Sequence, residues 1–270
     1  MMSARFSLRP WLAICLLVLS MVASGDDGQS APRVVTSTVE PWGIFDGPDR
    51  ARGILVDFQR ALFERAGLPL RNTMQPYPRV IKSIASGEAD LAVMFVSPQS
   101  AAIAHSLGKV VDERIVIVTR AEYPQVKTLD DFNDHQVGHI RGSRYGAAFD
   151  QHAGIVRVPV TNVEQGLRML LSGRIDAMTS TEHSLLYAMY INGIDSQKIR
   201  VAIPLFSAQG DLYVARDKIN EPWVAPLKSA LKSMTEDGSL LPALYNHAYW
   251  PYNSFCFAGG QCLGPTKQTP

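Results

Sequence analysis

The chain has little of what most catalytic and metal sites are built from. It holds three cysteines and six histidines in 270 residues. His135, His139 and His152 share one segment, but their spacing fits no metal-ligand template. There is no Gly-rich phosphate loop and no Gly-x-Ser-x-Gly elbow, so the usual signatures of nucleotide binding and of serine hydrolysis are missing. An excess of one charge is missing too. Lys plus Arg number 26 against 25 Asp plus Glu, a formal charge of +1, which leaves no basic footprint for a nucleic acid. The longest apolar run, Trp11 to Ala23, has about 13 residues, short of a comfortable membrane span.

That run has a different logic. Arg5 and Arg9 precede it, and the small residues Ala23, Ser24 and Gly25 follow it. The pattern predicts a cleaved secretory signal peptide over residues 1–25, with an uncleaved N-terminal anchor as the alternative. No small residue directly precedes Cys15, so there is no lipoprotein box. Cleavage leaves 24 cationic against 25 anionic residues, a charge of −1, and two cysteines, Cys256 and Cys262. In an exported chain an isolated pair reads as a disulfide, here closing the C-terminal tail, 256–270. A zinc site would need two further ligands.

What is present is a full-core composition, 46% hydrophobic and 19% charged, and an internal repeat. Tyr77 to Phe95 reads as a short amphipathic helix, a Gly stop at Gly87, Asp90, and an apolar strand. Val163 to Met178 repeats it, with Ser172-Gly173-Arg174-Ile175-Asp176 matching Ser86-Gly87-Glu88-Ala89-Asp90. Two copies imply two similar α/β lobes, and clefts between lobes are where small ligands bind. Around each copy strands and helices alternate, which predicts largely parallel sheets. Other expected elements are helices over 54–66, 144–152, 185–191, 224–234 and 240–245. Apolar runs near 116–121 and 207–213 are expected to cross between lobes.

The residues Glu40-Pro41-Trp42, Tyr77-Pro78-Arg79, Gly87-Glu88-Ala89-Asp90, Ser97-Pro98-Gln99-Ser100, Arg141-Gly142-Ser143 and Gly173-Arg174-Ile175-Asp176-Ala177 occur in an order that resembles the periplasmic solute-binding proteins of family 3. That is the polar-amino-acid group serving bacterial ABC importers. The resemblance implies an α/β, two-lobed periplasmic-binding-protein-like fold of type II with two crossover hinge strands. Lobe one is expected over 32–118 and 210–255, and lobe two over 119–209. It also implies a monomer with no cofactor and no catalytic residue, handing a small polar or anionic solute to an inner-membrane ABC permease or to a membrane sensor. A dehydratase-like enzyme on the same scaffold is the alternative.

The resemblance breaks where amino-acid binders hold their ligand. Ser100 stands where the family usually has the arginine that grips the ligand carboxylate bidentately. Thr181, followed by Glu182, stands where it often has the Asp that receives the ligand amine.

The candidate site residues follow. Arg79, opening a helix, could supply the missing cation, or sit solvated at a lobe edge. Gly142 permits close backbone approach, and Ser143, with Arg144 beside it, could contact an anion or simply cap a helix. Trp42, in a Pro-Gly loop, and Tyr77 are candidate aromatic walls. Phe95 could line the cleft floor or finish a buried strand. Ser97 keeps the family's hydroxyl. Glu182 and His183 invite an acid–base reading, against a plain helix-start Glu.

Overall fold

The computed structural model describes residues 31–47, 51–245 and 258. The expected leader and the expected Cys256–Cys262 pair lie outside these residues. In chain order the elements are β1 (Arg33–Ser37), β2 (Ile44–Phe45), β3 (Ala51–Arg52), α1 (Ile54–Ala66), β4 (Arg71–Gln75), α2 (Tyr77–Ala85), β5 (Leu91–Phe95), α3 (Pro98–Ile103) and β6 (Ala104–Arg120). Then come β7 (Gln136–Ile140), α4 (Ala147–Asp150), β8 (Val156–Val160), α5 (Val163–Leu171), β9 (Ala177–Thr181), α6 (Glu182–Ile191), β10 (Ile199–Ala215), α7 (Val224–Glu236) and α8 (Leu240–Leu244).

Two halves repeat one plan. In the first, β4, β1 and β5 run parallel in that order; in the second, β8, β7 and β9 do the same. Each trio is closed by one antiparallel stretch of a long strand, Gly210–Val214 of β10 beside β5 and Ile115–Thr119 of β6 beside β9. β6 and β10, 17 residues each, pair with one another along their length and so carry both halves. Hydrogen bonding is therefore continuous across eight strands, yet each half has its own helices and core. This is the two-lobed α/β fold with two crossover strands. The crossing is longer than the sequence suggests, because the polar stretch Asp112-Glu113-Arg114 stays in the strand. The segment 115–118, expected in lobe one, pairs with the second half.

The repeat has a physical job. Gly87 and Gly173 sit at φ of +73° and +72°, a left-handed conformation that ends each helix and suits glycine. The aspartate three residues on then joins the start of the neighbouring central strand. Asp90 Oδ2 accepts the Arg33 N–H at 2.7 Å, and the Asp90 N–H returns a bond to the Arg33 carbonyl at 2.8 Å. Asp176 Oδ2 accepts the Gln136 N–H at 2.9 Å, and the Asp176 N–H bonds the Gln136 carbonyl at 2.9 Å. Both copies thus fix the register of a strand whose side chains are buried on both faces. On β1, Val34 packs under α1 and α7 with Phe58, Leu62 and Leu227, while Val35 packs with Val80, Ile84 and Met94 on the other side.

Two local expectations change. The helix expected over 144–152 is only the single turn Ala147–Asp150, because Tyr145 is buried at 4% exposure and Gly146 has a φ of +89°. The helix expected from Leu185 starts three residues earlier, with Thr181 as its cap.

Candidate functional site

In sheets of this kind ligands bind beyond the carboxyl ends of the parallel strands. Here those ends carry the candidate residues, from β1, β4 and β5 on one side and β7 and β9 on the other. The two sets meet. A Cβ built on Gly142, after β7, would lie 3.1 Å from Pro78 Cγ, in the first turn of α2 after β4. Gly142 has a φ of +79°, so the position suits glycine twice over.

On the first lobe, Tyr77 and Phe95 form one unit. The rings meet edge-on at 6.0 Å, and the Tyr77 hydroxyl accepts the Phe95 N–H at 3.1 Å. Burial raises the Tyr77 phenol above its ordinary pKa. Phe95 also packs, half-buried, against the second-lobe cluster of Ile115, Ile117 and Tyr145, so it bridges the halves rather than ending inside one. Arg79 is exposed on the first turn of α2.

Ser97 and Ser100 explain what became of the arginine position. Ser97 caps α3, its Oγ accepting the Ser100 N–H at 3.1 Å, and Ser100 Oγ accepts the Ser97 N–H at 2.9 Å. Ser100 is fully buried, with its Oγ also 2.9 Å from the Phe95 carbonyl and 3.5 Å from the Tyr213 hydroxyl. The position is filled by a closed hydrogen-bond network, not left as a gap. Ser97 Oγ is engaged in the same network.

Trp42 is not an exposed wall. It is 7% exposed and packs edge-on against His183 of the second lobe, centroids 5.3 Å apart. Tyr245 also stacks on that imidazole, with centroids 5.6 Å apart. Burial, then the negative charge of Glu113, raises the Tyr245 phenol well above its ordinary range. His183 is held by Glu113, which accepts the His183 N–H at 3.1 Å and lies 2.5 Å from Nδ1. Glu113 is completely buried in the middle of β6. Beside it, Arg114 grips Glu182 with both Nε and Nη2, and Glu182 is only 1% exposed. Thr181 Oγ1 caps α6, accepting the Ser184 N–H at 3.3 Å.

The loop after β7 is built on Tyr145, whose hydroxyl accepts the Ile140 N–H at 3.4 Å. Burial pushes that phenol up to about 12. Ser143 does not cap a helix, because the helix begins four residues later; its N–H closes a turn on the Ile140 carbonyl at 3.1 Å. Arg141 and Arg144 are exposed.

The structure therefore brings Tyr77, Arg79, Phe95, Gly142 and Arg144 to facing strand ends, and commits Trp42, Ser97, Thr181 and Glu182 to internal contacts. Glu113 and Arg114 are what sequence reading missed, and they could have been flagged as charges inside an apolar β-branched run. Among the described residues, no group of three or more His, Cys, Asp or Glu is placed to hold a metal, and no helix is long and apolar enough to cross a membrane.

Comparison with curated protein sequences found no match. Among solved structures, the chain is similar to the periplasmic VFT2 domain of BvgS from Bordetella pertussis, with 24% identity, a TM-score of 0.64, and coverage of 81% of this chain and 93% of that one. It is similar to a variant of ArgBP from T. maritima, with 18% identity, a TM-score of 0.65, and coverage of 78% and 93%. It is also similar to a histidine kinase sensor domain with similarity to periplasmic binding proteins, with 17% identity, a TM-score of 0.67, and coverage of 80% and 95%. These identities speak for the fold. The family model for bacterial extracellular solute-binding proteins, family 3, matches residues 33–247, and the chain belongs to that family.

Proposed function

We propose that this protein is an exported, periplasmic receptor that closes its two lobes around a small polar or anionic solute. The observation that carries the reading is the approach of Gly142 to Pro78, which brings two strand-end loops, one per lobe, against one another. Family membership and the signal-like leader support it. Both import through an ABC permease and delivery to a membrane sensor fit, since the structural neighbours include ArgBP and a kinase sensor domain. The amino-acid clamp of the family is not rebuilt at Ser100, and the acid at Glu182 is already paired with Arg114, so ordinary α-amino acids are not the expected ligands.

The enzyme alternative needs a general acid or base that reaches a substrate. The buried His–carboxylate pair among the described residues, His183 with Glu113, packs against Trp42 and Tyr245, which favours the receptor reading. A thermal-shift screen of the purified exported chain against amino acids, polyamines, sugars and organic acids tests the proposal. A solute-specific rise in Tm is expected from linkage between binding and folding. Turnover of any solute, or no shift across all classes, would count against it.

A further inference from the structure

We infer that the solute is a small organic acid with two or more carboxylates and no ammonium group, held between Arg79 on one lobe and Arg141 and Arg144 on the other. The inference rests on the solute-binding reading and names its ligand class.

Three arginines flank the approach of Gly142 to Pro78. Pro78 precedes Arg79, and Gly142 lies between Arg141 and Arg144 in sequence. With Gly142 in reach of Pro78 Cγ, backbone dimensions bring the Cα atoms of Arg79 and Gly142 within about 11 Å. Arginine side chains are long enough to cover that distance. All three arginines are exposed, and none of their guanidinium groups has a hydrogen-bond or ion-pair partner among the described residues. Several other arginines are paired with acids, Arg33 with Asp90, Arg52 with Asp46, Arg65 with Asp237 and Arg114 with Glu182. Asp150, on the same segment as Arg144, is turned inward, with its carboxylate accepting the Tyr145 N–H at 3.2 Å. A gap lined by one sign of charge focuses its field and concentrates counter-ions. Guanidinium geometry matches carboxylate.

Cations on both loops favour a ligand with anionic groups at both ends. A single carboxylate satisfies one lobe and leaves the other side repelled. Two carboxylates reward closure, and only a ligand with higher affinity for the closed form shifts that equilibrium.

Among the described residues, the acids and hydroxyls already named near these strand ends are committed elsewhere. Glu182 is sealed by Arg114, Glu113 by His183, and the hydroxyls of Ser97, Ser100 and Thr181 serve as caps or network members. An ammonium taken from water to this site would find neither Glu182 nor Glu113 free to pair with it, and would sit among like charges.

Glutarate and L-glutamate share their carboxylate spacing and differ by that ammonium, so they are the natural pair of probes. Calorimetry on the full exported chain should include both, with succinate, citrate, inorganic phosphate and a diamine. Glutarate, succinate or citrate is expected to bind, and glutarate at least about ten-fold more tightly than L-glutamate. Arg79→Gln and Arg144→Gln should each weaken the best carboxylate roughly ten- to a hundred-fold, the value of a charged hydrogen bond, with unchanged melting curves. Lysine at either position should recover part of the loss. The ligand class is overturned by L-glutamate binding as tightly as glutarate, by phosphate binding alone, or by full affinity in the Arg79→Gln/Arg144→Gln double variant. A sugar or diamine that binds in place of the acids would overturn this class and leave the receptor reading standing. Binding by no solute of any class would overturn both.

Discussion

Removing the two repeat aspartates should cost unequal amounts, although they occupy equivalent places. Asp90 has a side-chain exposure of 9% and accepts three donors of Arg33: the backbone N–H at 2.7 Å, Nε at 3.0 Å and Nη2 at 2.6 Å. Arg33 Nη2 also reaches the Gly87 carbonyl at 2.7 Å, tying the end of α2 to the start of β1. Asp176 is 32% exposed and accepts the Gln136 N–H, with His135 Nδ1 further away at 3.4 Å. A hydrogen bond to a charged group contributes about 1.5–3 kcal/mol, and an unsatisfied buried N–H costs about 1–3 kcal/mol. Arg33 is half exposed and recovers water, so its ion pair adds little beyond this. Asp90→Ala should therefore lose about 2–4 kcal/mol and Asp176→Ala about 1 kcal/mol. Urea unfolding at pH 7 reads the difference as a shift in midpoint. Burial alone would raise the Asp90 pKa, but the hydrogen bonds from Arg33 outweigh it and hold the carboxyl below the ordinary 3.8. A depressed native pKa gives stability that is complete above the unfolded value and is lost as pH falls through the native one. The gap between wild type and Asp90→Ala should therefore persist at neutral pH and shrink below about pH 4. Equal losses at the two sites, or a gap that does not change with acid, would refute the account of the repeat.

Arg114→Ala strands Glu182 at 1% exposure and should cost about 3–5 kcal/mol by chemical denaturation, while Glu182→Gln leaves an arginine that is 42% exposed and should cost less. Ser100→Arg should destabilise by more than about 3 kcal/mol without restoring amino-acid binding, because the new charge enters a fully buried network; a stable variant with micromolar affinity for an L-amino acid would contradict this. Gly142→Val forces a β-branched residue to a φ of +79° and pushes on Pro78, so calorimetry should find solute affinity lowered roughly ten-fold.

The parts of this molecule that are local were readable. The Gly87–Asp90 and Gly173–Asp176 units announced two lobes because a left-handed glycine, a pinned aspartate and an apolar strand all lie within a dozen residues of one another. The crossover strands were read short. Glu113 and Arg114 look like a strand end in sequence, and their partners His183 and Glu182 lie about 70 residues away. The loss of the arginine at Ser100 was visible, but its sealing by Tyr213 was not, because that contact spans 113 positions. Trp42 was placed at the cleft by its Pro-Gly loop; only the packing of His183 and Tyr245 puts it inside. The arginines on the two loops were legible one at a time, and only the approach of Gly142 to Pro78 makes them one set.

The central claim is that a solute bound between Arg79 and Arg144 draws the lobes together. Small-angle scattering from the full exported chain, without and with a saturating solute found by the thermal-shift screen, tests it directly. A smaller radius of gyration with the solute, lost in the Arg79→Gln/Arg144→Gln variant at the same solute concentration, is the expected result. A saturated complex with the radius of the free chain would contradict it.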